Sequence, residues 1–158
     1  MTALKALITS ITGQDGSYLV ASSHVIPALI RKCVDAREAG ADHFDVWGTG
    51  AASREFLYVE DAAEGIVLAT ERYDEADPVN LGVGREITVL QLVDLIVRIT
   101  GFTGEIRRDA AKPDGQLRRA LDTGRARERF GFKATTSFET GLRATVDCYD
   151  ATSAATVR

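Results

Sequence analysis

The spacing of apolar and polar positions changes repeatedly along the chain, and each change predicts an element. Residues 4–9 form a largely apolar run that ends in turn residues rich in Gly and Thr, the pattern of a buried strand entering a phosphate-type loop. Ser23 precedes a helical pattern with Pro27 in its first turn and Leu29, Ile30, Cys33 and Val34 on one face; Gly40 is its expected stop. Residues 43–47 alternate and meet Gly48-Thr49-Gly50, which predicts a strand and turn, and residues 55–59 predict a second short strand. Asp61 with Glu64 reads as a capping box opening a helix to about Arg72. Residues 79–81 predict a short strand ahead of Gly82-Val83-Gly84.

Farther on, Thr88 with Gln91 is a second capping signature. Val89, Leu92, Val93, Ile96 and Ile99 then mark one helical face that Gly101 ends. Ile106 suits an edge strand, and Lys112-Pro113-Asp114-Gly115 is turn chemistry. Residues 123–130 predict a short helix closed by Gly131. Ser137 caps a last helix whose face is Phe138, Leu142, Val146 and Tyr149. Short strands alternating with helices predict an α/β or α+β fold.

Composition narrows the function classes. The 158 residues are 45% hydrophobic and 27% charged, which is globular composition and room for one ordinary domain. No apolar run approaches the ~20 residues of a membrane helix, and the first ten residues do not read as a secretory leader. The expectation is a cytoplasmic protein with no membrane partner. A net charge of −4 offers no global footprint for nucleic acid. Cys33 and Cys148 match no metal spacing and are expected to be buried thiols on apolar helix faces. The charge is uneven: residues 105–133 hold nine basic and five acidic residues. That run suits either a local anionic partner such as a phosphate or a solvated face of paired charges.

The turn Ser10-x-x-Gly13-x-x-Gly16 follows the first predicted strand. In a dinucleotide fold such glycines permit a tight turn and close pyrophosphate approach, so Gly13 and Gly16 are the candidate cofactor residues. Ser at the leading position adds a Cβ where glycine serves best. The words ALITSITGQDGSYL resemble the opening of the GDP-mannose 4,6-dehydratases, of the extended short-chain dehydrogenase/reductase (NAD-dependent epimerase/dehydratase) family; this match covers about residues 3–19. From residue 22 to about 150, SHVIPALIRK, VWGTG, REFLYVED, VNLGVG, EITVLQL and KPDG resemble, in order, the C-terminal half of the GDP-L-fucose synthases, NADP-dependent 3,5-epimerase/4-reductases.

The resemblance implies a truncated Rossmann-like unit with one phosphate-loop strand, joined to the α/β substrate-binding lobe of such an enzyme. The expected division is a dinucleotide-domain remnant at 1–21, a nucleotide-sugar lobe at 22–150 and a flexible tail at 151–158. NADP is the cofactor the family implies, a GDP-sugar the ligand, and a homodimer the family's assembly. His24 stands where the family has its epimerisation acid. Lys32, Trp47 and Arg54 fall where the family holds the GDP part of its substrate, and Asp114 and Arg119 align with the remaining contacts. The residues alone leave alternatives: core packing for Trp47, and for Arg54 an ion pair with Glu55, Glu60 or Asp61. Tyr58 reads as packed in its strand.

The family's hydride chemistry uses Tyr-x-x-x-Lys, in which the lysine lowers the phenol pKa. Four residues after Tyr18, Tyr58, Tyr73 and Tyr149 stand Ser22, Ala62, Asp77 and Ser153. Four readings follow: an inactive relative of the GDP-4-keto-6-deoxymannose epimerase/reductases, a GDP-sugar-binding module, a dehydratase-type fragment, or an unstable remnant of a deletion.

Overall fold

A computed structural model describes the backbone of residues 25–156 and side chains as far as residue 151. The expected first strand, Gly13, Gly16 and His24 lie outside the described residues. The elements are α1 (Val25–Glu38), β1 (His43–Trp47), β2 (Ser53–Glu55), α2 (Val59–Arg72), β3 (Glu86–Thr88), α3 (Val89–Thr100), β4 (Glu105–Asp109), β5 (Arg118–Arg119), α4 (Gly124–Phe130) and α5 (Phe138–Thr156). The α/β class read from the alternation stands.

The strands make two small sheets. β1 and β4 pair in parallel, with Phe44 opposite Ile106 and Asp45 opposite Arg107. In the second sheet β2 is central, antiparallel to β3 and parallel to β5. A parallel pair needs a crossover, and α2 and α3 lie between β1 and β4 in the chain. α1, α3 and α5 supply most of the main core, where Ile30, Cys33, Val34, Val46, Leu92, Val93, Ile96 and Val146 are almost wholly buried. Burying one such large aliphatic side chain is worth about 1.5–3 kcal/mol. A second cluster, Ala126, Phe130 and Phe132, packs with Leu57, Leu68, Tyr73 and Leu81 between α2 and α4.

The capping signature at Thr88 is realised on both sides. The Thr88 hydroxyl accepts from the Gln91 N–H at 3.2 Å, and the Gln91 side-chain Oε1 accepts from the Thr88 N–H at 2.8 Å. Gly101 closes α3 in the left-handed conformation, φ 74°, where a Cβ is unfavourable. The Ser137 hydroxyl likewise accepts from the Thr140 N–H, at the start of α5.

Several expectations change. The strand expected at 55–59 is instead β2 at Ser53–Glu55, and the chain leaves it at Phe56 to enter α2 at Val59. Asp61 does not cap α2; it sits inside the first turn, 3% exposed, and its carboxylate takes hydrogen bonds from Thr135 and Thr136. Tertiary donors outcompeted the local capping geometry. No strand forms at 79–81 among the described residues, where Leu81 packs as an apolar contact of the second cluster. α5 continues to Thr156, through part of the expected tail. Cys33 is buried, and burial pushes its thiol pKa up, whereas Cys148 is exposed because its position falls off the Leu142–Val146 stripe. α2 leaves Val59 (70% exposed) and Val67 (54%) uncovered.

Candidate functional site

β1 delivers the chain's single tryptophan to its outer end. Trp47 is 62% exposed, so the core-packing alternative does not hold. Alternation decides this: Phe44 and Val46 point into the core, and Asp45 and Trp47 point away. Two ammonium groups sit over the indole, Lys32 Nζ at 5.1 Å from the ring centroid and Lys112 Nζ at 5.6 Å, within the range of cation–π attraction. Lys32 also donates to the Asp45 carbonyl at 3.1 Å. It reaches β1 from α1, and Lys112 reaches it from the loop after β4.

Arg54 and Arg119 are direct neighbours across the parallel β2–β5 pair, in the same register position. Residues paired this way share a face on strands about 4.8 Å apart. Arg54 makes none of the ion pairs offered by Glu55, Glu60 or Asp61; its Nη1 donates to the Ser53 carbonyl at 2.7 Å. Glu55 is occupied elsewhere: its carboxylate accepts from the Gly84 N–H at 2.8 Å and the Leu121 N–H at 2.9 Å.

The basic run resolves into two groups. Arg107 pairs with Glu105, Arg118 with Glu86, Arg125 with Asp77 and Arg129 with Glu75. For these four the paired, solvated face is the right description. Arg119 has no carboxylate partner among the described residues, and neither has Lys112. Among the described residues of the run, Arg108, Lys112, Arg119, Arg127 and Lys133 make no ion pair; of these, Lys112 lies over Trp47 and Arg119 lies on β5.

Asp114 faces inward, toward the chain itself. Its carboxylate accepts from the Thr49 N–H at 2.7 Å, the Thr49 hydroxyl at 2.7 Å and the Gly50 N–H at 3.2 Å. The Thr49 hydroxyl, followed by the two backbone donors, holds its carboxyl below the usual carboxylate range against the opposing effect of burial. Gly48 leaves room for it: at φ 82°, a Cβ on Gly48 would collide with the carboxylate. The expectation of a substrate contact at Asp114 meets a side chain already engaged.

Fit to a dinucleotide is poor among the described residues. Both Gly-x-Gly turns there hold a carboxylate of the chain: Asp114 at Gly48-Thr49-Gly50, and Glu55 at Gly82-Val83-Gly84. N–H groups that already serve an anion do not cradle a pyrophosphate. Gly13 and Gly16, and the acid candidate His24, lie outside the described residues, so the structure brings together Lys32, Trp47, Arg54, Asp114 and Arg119 only. Tyr58 packs on the helix turn at Gly141, and Tyr73 donates its hydroxyl to the Asp77 carbonyl at 2.8 Å; both are structural.

Sequence reasoning missed Lys112 as a partner of Trp47. A lysine at the head of a tight turn carried no signal beyond the basic run, and only the loop's fold brings it over the ring. An open cleft of about 530 Å³ beside β4, lined by Thr49, Ile106, Arg107 and Arg108 among others, adjoins the same end of the lobe.

Residues 20–82 match the NAD dependent epimerase/dehydratase family. The chain is 36% identical over 147 residues to GDP-L-fucose synthase 1 of Arabidopsis thaliana, covering 93% of this chain and 45% of that protein. The crystal structure of a GDP-L-fucose synthetase from Naegleria fowleri superposes with a TM-score of 0.78 at 29% identity, over 83% of this chain and 40% of that one. An NADP-bound structure of a GDP-L-fucose synthetase from the same organism superposes with a TM-score of 0.76 at 30% identity, over 81% and 40%. These matches support the family, and the chain spans less than half the length of these relatives. The resemblance of residues 3–19 to the dehydratases rests on residues outside those described.

Proposed function

We propose that this chain is a substrate lobe of the NAD dependent epimerase/dehydratase family, and that it binds a nucleoside diphosphate sugar of the GDP series without turning it over. The observation that carries the reading is the Arg54–Arg119 pair. Two like-charged side chains in register on adjacent strands repel each other, and a diphosphate would relieve that repulsion while taking charge-assisted, forked hydrogen bonds. Trp47 offers a flat apolar face to a base or ribose, and Lys32 and Lys112 add charge around it. Relatives named GDP-L-fucose synthase support the GDP series.

Hydride transfer is not part of the proposal. No tyrosine of the chain is followed four residues on by lysine, and the two described Gly-x-Gly turns are filled by the chain's own carboxylates. No step is therefore routed through NADP. A homodimer is proposed only by family likeness.

Calorimetry with GDP tests the binding. A half-open site keeps its cations hydrated, so the dissociation constant is expected to be no tighter than ~0.1 mM, on the order of −5 kcal/mol. Arg54→Ala and Arg119→Ala should each weaken it. Arg98→Ala should not, since Arg98 lies on the solvent side of α3 with Glu139 at 3.9 Å. Equal effects from Arg54→Ala and Arg98→Ala would remove the reading.

A further inference from the structure

The family resemblance implies a substrate contact at Asp114, yet its side-chain hydrogen bonds all go to the turn between β1 and β2. The segment that carries Asp114 is tied at both ends. At its start Asp109 accepts from the Ala111 and Lys112 N–H groups, each at 3.1 Å. At its end the Leu117 carbonyl accepts from the Ser53 N–H at 2.8 Å, and β5 begins. Between those ties, Asp114 is the residue that hydrogen-bonds to another part of the chain among the described residues of the loop.

Both cation sites depend on this stretch. Two residues before Asp114, Lys112 places its ammonium over Trp47. One residue after it, Gly115 stands against Arg54: a Cβ there would be 3.9 Å from Arg54 Nη2. Trp47 itself directly precedes the turn that Asp114 grips. One carboxylate therefore ties the Trp47 end of β1 to the Arg54 and Arg119 strands.

We infer that Asp114 is a positioning residue, clasping the Gly48–Gly50 turn so that Lys112 and Trp47 on one side and Arg54 and Arg119 on the other form one anion site before a ligand arrives. A negative charge so close to a diphosphate would oppose binding if it were unpartnered; its three donors absorb it. The ordering cost of the loop is then met on folding rather than on binding. The ligand half of this inference rests on the GDP reading above; the clasp does not.

The test separates the two. Trp47 is the sole tryptophan, so its emission in the ligand-free chain reports Lys112. Asp114→Ala and Lys112→Ala should shift that emission alike, and the double variant should add nothing further. Asp114→Asn keeps an acceptor for the Thr49 and Gly50 N–H groups and should stay close to the parent. Thr49→Val, which removes one donor with little change of shape, should give a smaller shift of the same sign and serves if Asp114→Ala does not fold. Parental emission in Asp114→Ala or in Lys112→Ala, or additive shifts in the double variant, would overturn the clasp. With GDP as probe, Asp114→Ala should weaken binding about tenfold, or about 1.4 kcal/mol, and Asp114→Asn should restore most of it. A parent chain that gives no GDP heat defeats the nucleotide reading, while the emission series still decides the clasp.

Discussion

Arg54 and Arg119 stand side by side on β2 and β5, in register, with no carboxylate on either among the described residues. Like charges in that position weaken a sheet, so the pair is kept at a cost in stability. Arg119→Glu is expected to raise the ligand-free chain's stability by ~0.5 kcal/mol, the scale of an exposed cross-strand ion pair, while abolishing GDP heat. A urea melt and a titration on the same sample check both signs. A destabilised Arg119→Glu chain would show that the two guanidiniums do not repel in the free state.

Asp61 is the main buried charge of the described residues. Burial works to raise its pKa, but the N–H and hydroxyl donors of Thr135 and Thr136 outweigh burial and bring it below the usual carboxylate range. A depressed native pKa means stability that is present above the unfolded value near 3.9 and lost as pH falls through the native one. Asp61→Ala leaves those donors unpaired and should cost ~3 kcal/mol. Its denaturant midpoint should also fall less than the parent's between pH 5 and pH 3. An equal pH response in the two chains would contradict the assignment.

The Thr88 capping box anchors α3, whose Leu92, Val93 and Ile96 lie at the centre of the core. Thr88→Ala should cost ~1 kcal/mol, and Leu92→Ala ~2–5 kcal/mol through loss of contact and the cavity it leaves. Thermal melts order the two: Leu92→Ala should melt well below Thr88→Ala, and the reverse order would place the core elsewhere.

Val67 is 54% exposed on α2, one helical face away from the buried Asp61 and Gly65. Val67→Glu is expected to change stability by no more than ~0.5 kcal/mol, as surface substitutions do, and to raise solubility. A loss above 2 kcal/mol would mean that this face is covered in solution.

The sequence by itself determined those elements whose signals are local. α1 with Pro27 in its first turn, α3 between Thr88 and Gly101, and the Leu142–Val146 stripe of α5 follow from period and caps, because the interactions that set them lie within a few residues. The alternation at residues 43–47 also placed Phe44 and Val46 inward, which leaves Trp47 outward. The family resemblance picked out Lys32, Trp47, Arg54, Asp114 and Arg119 as a group. Only the tertiary structure decided what each of them contacts within the chain. Asp61 looked like a cap and became a buried acceptor, because donors 74 and 75 residues away in sequence outmatched the local geometry. The strand placed at 55–59 became β2 at Ser53–Glu55, since its partners β3 and β5 set its length, and a two-residue strand such as β5 has no period of its own to read. Glu55 and Asp61, beside Arg54, went to other donors, and Asp114 bonds to Thr49 and Gly50 of its own chain. Which carboxylate meets which donor is a competition across the whole fold, and no window of sequence contains both competitors.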